Sequence, residues 1–166
     1  MRRLLLIVAA AVLGAAAFAQ SAAAVPPIKE DFTFSNATAV LTDVCPFPVT
    51  VVYGGTGTEI DFFDRNGNIT MAQVHQVEQD VFTANGKTLV GLPYTFNLRV
   101  LFDPETGEIT HVFASGIASR VPLPGGNFFL TAGRVDFAAH PGADFLLQPD
   151  VGAQGNIAGF CAALSP

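Results

Sequence analysis

From Asp31 onward apolar and polar residues alternate with a period of two rather than 3.6, which predicts strands and no amphipathic helix. The clearest stretch is 94–102, where Tyr94, Phe96, Leu98, Val100 and Phe102 fall on one side and Thr95, Asn97 and Arg99 on the other. In 109–119, Ile109, His111, Phe113, Ser115 and Ile117 oppose Thr110, Val112, Ala114, Gly116 and Ala118. In the long run 69–83, Ile69, Met71, His75 and Val77 share a face. Further strands are expected at 31–35, 48–53, 59–63, 88–90, 127–138 and 157–163, the last carrying a cysteine into the sheet.

Turn chemistry separates these runs. Asn85-Gly86 is the strongest hairpin signal, and Asp64-Arg65-Asn66-Gly67-Asn68 and Asp103-Pro104-Glu105-Thr106-Gly107 are further turns. Gly54-Gly55-Thr56-Gly57 reads as another break, and 139–155 as irregular with one helical turn around 144–147. Such short connections do not make parallel crossovers. The prediction is therefore all-β: an antiparallel meander of about eight strands. Several strands are apolar on both sides, and 15 Phe with no Trp need no partner for a ring N–H. That pattern favours a closed barrel, with a β-sandwich as the alternative.

The N-terminus reads differently. Met1-Arg2-Arg3 precedes an apolar run from Leu4 to Phe18, then Ala17-Phe18-Ala19 and Ala22-Ala23-Ala24 offer small-residue cleavage sites. Those three parts in that order predict a secretory signal peptide over 1–24. The run is shorter than the ~20 residues that span a bilayer. A leader with a short first β segment (25–44) and a single β-barrel domain (45–164) would follow, secreted and free of the membrane after cleavage. Of 166 residues 13% are charged, and loss of Arg2 and Arg3 takes the net charge from −6 to about −8. So acidic a chain is a poor match for nucleic acid, which is held by Lys and Arg on phosphates.

Export also governs the two cysteines. Cys45 and Cys161 would meet in an oxidising compartment and form a disulfide. Its Cα atoms would lie within about 7 Å, bringing the first and last main strands side by side.

Candidate chemistry is sparse. His75 and His111 stand mid-strand among apolar residues, where a pair on adjacent strands would suit a metal or acid–base work; the simpler reading is a hydrogen-bonded, partly buried histidine. Arg134 and Asp136, two apart on one strand, share a face, and with Arg99 would pair or orient a polar head group. Asp61, Asp64, Asn66 and Asn68 carry calcium-type oxygens, but without flanking helices or a Glu near position twelve they read as a hairpin. Nucleophile-elbow and phosphate-loop motifs are missing, and no cofactor or metal is expected.

Cys45-Pro46-Phe47-Pro48-Val49, Ile60-Asp61-Phe62-Phe63-Asp64-Arg65-Asn66-Gly67-Asn68, Phe82-Thr83-Ala84-Asn85-Gly86-Lys87, Ala132-Gly133-Arg134-Val135-Asp136-Phe137 and Phe160-Cys161-Ala162-Ala163-Leu164 occur in that order. The set resembles small secreted β-rich proteins of actinobacterial-type bacteria, over roughly 45–164. The resemblance implies secretion and a single β-rich domain, and it implies no activity. In expected architecture the chain is also similar to dirigent and allene-oxide-cyclase-like barrels and to calycins, which enclose an apolar small molecule. The expectation is a secreted, non-catalytic barrel binding a small apolar or amphipathic ligand through His75, Arg99, His111, Arg134 and Asp136. The alternatives are a structural or self-associating extracellular module and, behind it, an isomerase- or cyclase-like enzyme.

Overall fold

The computed structural model describes residues 25–139 and 151–166. The expected signal peptide, His140 and the helical turn around 144–147 lie outside the described residues. Eight strands form one antiparallel sheet: β1 (Ile28–Leu41), β2 (Val49–Phe63), β3 (Ile69–Ala84), β4 (Lys87–Val90), β5 (Tyr94–Phe102), β6 (Ile109–Pro122), β7 (Phe128–Asp136) and β8 (Val151–Ala153). Among the described residues one helix, α1 (Ile157–Leu164), follows the last strand. The order across the sheet is β1-β2-β3-β5-β6-β7-β8, with β4 paired to β3.

Turn chemistry accounts for the connections. Asn85 (φ 51°) and Gly86 (φ 75°) are left-handed between the paired residues Ala84 and Lys87, as a two-residue hairpin of type I′ requires. The Asp64 Oδ1 accepts the N–H of Asn66 at 2.8 Å and of Asn68 at 2.9 Å, so these oxygens build the expected hairpin. Asp103 does the same with the N–H groups of Glu105 and Thr106. Between β4 and β5 the chain leaves β3 for β6: Gly91 N–H bonds Asp80 O, Leu92 N–H bonds Arg120 O, and Pro93 has no N–H to satisfy.

Three expectations need correction. First, Gly54-Gly55-Thr56-Gly57 does not turn; β2 runs straight through it. A Cβ at Gly55 would stand 2.0 Å from the Val77 carbonyl oxygen, and one at Gly57 would strike the Phe32 ring at 2.4 Å. Here glycine permits close approach of neighbouring strands rather than a reversal. Second, residues 25–44 are not a leader with a short β segment. From Ile28 they form an edge strand paired with β2 to Leu41, interrupted by a bulge between Phe34 and Ala37 where Asn36 is left-handed at φ 56°.

Third, 157–163 is helical and the sheet is not closed into a barrel. The Asn156 side chain accepts the Gly159 N–H at 2.9 Å and caps the helix, whose alanines favour that form. An apolar run this short fits helix or strand equally well by periodicity, and the cap decides. Cys45 and Cys161 are bonded, with Cα atoms 5.5 Å apart, but the bond ties the β1–β2 connection to α1. It does not join edge strands: β1 and β8 stand at opposite edges, unpaired with each other. Among the described residues there is one sheet and no second to make a sandwich, and one helix lies over it.

That helix seals the core. Phe160 meets Phe82 edge-on at 5.1 Å and Phe129 at 4.8 Å, and Leu164, Val49 and Val121 are fully buried around them. Register partners in a sheet share a face, so this cluster fixes a core side and an outer side for every strand. Tyr94, Phe96, Leu98 and Val100 fall on the core side, and Thr95, Asn97 and Arg99 on the outer, as the alternation predicted. The disulfide fits an extracellular protein. Among the described residues no helix is long and apolar enough to cross a membrane.

Candidate functional site

The register gathers the predicted site residues on the outer side. His75, Asn97, Ser115 and Arg134 form one row across β3, β5, β6 and β7. Gln73, Arg99, Phe113 and Asp136 form the next row, and Met71, Leu101 and His111 a third. With strands about 4.8 Å apart, a four-strand row is roughly 14 Å wide, the span of a small molecule.

The rows are stitched by specific contacts. His75 Nδ1 lies 2.8 Å from Asn97 Oδ1, and since an amide oxygen accepts, the tautomer that makes this bond carries its proton on Nδ1. The Arg99 Nε–H points at the Met71 sulfur at 3.1 Å, a weak acceptor for a cation. The Arg134 guanidinium lies 4.9 Å from the Phe113 ring centre, and the His111 ring runs parallel to that same ring at 5.8 Å. An exposed cation–π contact of this kind is worth about 0.5–1 kcal/mol, enough to orient the side chain but not to occupy its N–H donors.

Two adjoining open depressions result. One, of about 370 Å³, is lined by Asn97, Arg99, Leu101, Phe113, Ser115 and Arg134 with the Leu98 backbone strand beneath. The other, of about 310 Å³, extends toward β2 along Thr58, Ile60, Gln73 and His75 and shares Asn97, Arg99 and Ser115 with the first. Arg99 thus stands at their junction.

Two pairings that the sequence left open are not made. His75 and His111 are on β3 and β6, separated by β5 and two rows, so their Cα atoms are about 16 Å apart by sheet geometry, too far to share a metal ion. Arg134 and Asp136 do share a face, but Arg134 covers Phe113 while Asp136 Oδ1 accepts the N–H groups of Ala138 and Ala139. Asn97, Phe113 and Ser115 also line the candidate site, and the sequence alone did not single them out. The alternation placed Asn97 beside Arg99, but only cross-strand register shows what faces them.

On the core side a second polar cluster went unread. The Tyr94 hydroxyl lies 2.6 Å from Glu78 Oε1 and 3.0 Å from Asp80 Oδ2, and Gln76 Nε2 donates to the other Glu78 oxygen. The phenol has one proton to give, so satisfying both contacts takes a second proton on a carboxyl. Burial, and then the neighbouring Glu78 charge, push the Asp80 carboxyl up to about 7. Burial, with both carboxylates nearby, raises the Tyr94 phenol as well, keeping it protonated. Ser119 and Thr131, register partners on this side, are wholly buried, and their hydroxyls have no hydrogen-bond partner among the described residues. Asp80 is only 2% exposed and Tyr94 is buried beside it, so ionisation of this pair bears on stability. The sequence signal was Glu78 and Asp80 at the same parity as the apolar Phe82.

No family model matches the chain, and neither does a curated protein or a solved structure.

Proposed function

We propose that this is a secreted, non-catalytic binding protein that takes a small amphipathic molecule on the outer side of its sheet. The observation that carries the reading is the convergence of Arg99, Arg134, His75 and Phe113 around two joined depressions. Apolar walls of Leu101, Ile60 and the Phe113 ring, with a few polar groups set among them, are what small-molecule sites use. Because the sheet is open, the site proposed here lies on the solvent side rather than in an enclosed barrel interior.

Native mass spectrometry of protein recovered from culture medium tests this. The expected spectrum holds a species heavier by a few hundred daltons, and Phe113→Ala, which removes the central apolar wall, returns the bare mass. A bare spectrum for both, with octyl glucoside, octanoate and octyl phosphate all failing to bind on addition, contradicts the reading.

A second reading rests on Val77, Val90, Phe128, Leu130 and Val151, exposed apolar residues that all lie on the same outer side. They favour a module that covers this side with a partner. Sedimentation at rising concentration separates the two: a concentration-dependent dimer belongs to the second, a monomer to the first.

A further inference from the structure

Charge is unevenly distributed across the sheet, with Lys87 at the β3–β4 hairpin the one strand cation of core-side parity among the described residues. Register places Glu30, Glu59, Asp61, Glu78 and Asp80 on the core side and Lys29, Arg99, Arg120 and Arg134 on the outer side. The two acids that do share the outer side are engaged elsewhere. Asp31 accepts the Thr58 hydroxyl at 2.6 Å and pairs with Lys29 at 3.9 Å, and Asp136 is bonded to backbone N–H groups. Among the described residues Lys29–Asp31 is the one ion pair, so no carboxylate of the described residues lies within ion-pair distance of Arg99 or Arg134. In a chain carrying a net −6, two outer-side guanidiniums with Asp136 as the one carboxylate of the described residues in their rows across β5, β6 and β7 make a locally cationic patch.

Between these arginines lie Ser115 and Phe113 of β6, the strand that separates β5 from β7. Arg99 and Arg134 present guanidinium forks, Ser115 a hydroxyl donor, and Asn97 an amide whose oxygen is taken by His75 and whose N–H remains available. Donors of this kind, converging on one apolar ring, match a planar or tetrahedral oxyanion attached to a hydrocarbon. We infer that the ligand is an amphipathic acid whose oxyanion, a carboxylate or a phosphate, is held by Arg99, Arg134 and Ser115 while its tail lies on Phe113 and Leu101. This rests on the proposed function and names the ligand's chemical class.

Calorimetric titration of the oxidised protein with octanoate, octyl phosphate and octyl glucoside tests it, the three sharing one tail. Both acids are expected to bind saturably and at least tenfold more tightly than the neutral glucoside. Arg99→Gln and Arg134→Gln, at exposed positions, should each weaken the acids about tenfold and leave octyl glucoside unchanged, as loss of one charge-assisted bond predicts. Arg99→Lys, keeping charge without the fork, should fall between. The tighter of the two acids identifies the head group. If octyl glucoside binds as tightly as the acids and the arginine variants change nothing, the acid inference fails while the proposed function stands. If none of the three binds, both fail.

Discussion

Replacing Cys45 and Cys161 with serine, or reducing the bond between them, lowers the unfolding free energy by about 4–5 kcal/mol. The bond spans 116 residues, so it removes nearly as much chain entropy from the unfolded state as a single cross-link in this protein can. It also holds α1 on the sheet. Phe160 and Leu164 of that helix are buried against Phe82, Phe129 and Leu89, and a helix of eight residues has little stability of its own. Native domains hold only about 5–15 kcal/mol in total. Thermal unfolding of the double variant should therefore begin some 10–20 °C lower than in the oxidised protein. A melting temperature unmoved by reductant would show that packing alone retains the helix.

Between about pH 4 and pH 7 the protein should become less stable as pH rises, by roughly 3–4 kcal/mol, and level off above. The folded-state carboxyl of Asp80 is raised to about 7 from an ordinary 3.8, so across that window the folded chain keeps a proton that the unfolded chain releases. Stability that depends on that proton is complete below the unfolded value and gone once pH passes the folded one. Glu59, raised by its own burial and by the Asp61 charge, acts in the same direction. Asp64 and Asp103, lowered by backbone N–H groups, act in the opposite direction and only at more acidic pH. Asp80→Asn, neutral at every pH, should flatten the slope and leave the variant more stable than the parent at pH 8. Denaturant unfolding at pH 5, 6, 7 and 8 measures this. Parallel slopes in both proteins would mean that the core carboxyl ionises normally.

Strand content, strand parity and the hairpins were readable in the sequence because each is local. Asn85-Gly86 specifies its turn through two backbone angles, and Tyr94 to Phe102 declares its faces by alternation. Barrel closure was not local. That expectation rests on strands apolar on both sides and on cysteines near the two ends, and a disulfide specifies proximity without specifying the element that delivers it. Asn156, whose side chain caps α1, was the residue that distinguished helix from strand. The glycines of β2 misled for a related reason. Gly55 is required by the carbonyl of Val77 on the next strand, a neighbour that composition does not reveal.

The candidate site was half readable. His75, Arg99, His111, Arg134 and Asp136 do occupy one side of the sheet, as parity within each strand allowed. Their grouping depends on register, which bulges at Leu101/Phe102 and Ile117/Ser119 reset by one residue. Those bulges have no sequence signature here, and they decide that Ser115 faces Arg134 and that Phe113 faces Arg99.

An amide chemical-shift map of the oxidised protein, recorded while octanoate is added, tests the location of binding most directly. The account predicts shifts concentrated at Gln73, His75, Asn97, Arg99, Phe113, Ser115 and Arg134, on the solvent side of four strands. Shifts concentrated instead at Tyr53, Glu78, Asp80, Tyr94 and Ser119 would place the ligand inside, against the helix-covered side, and would contradict it.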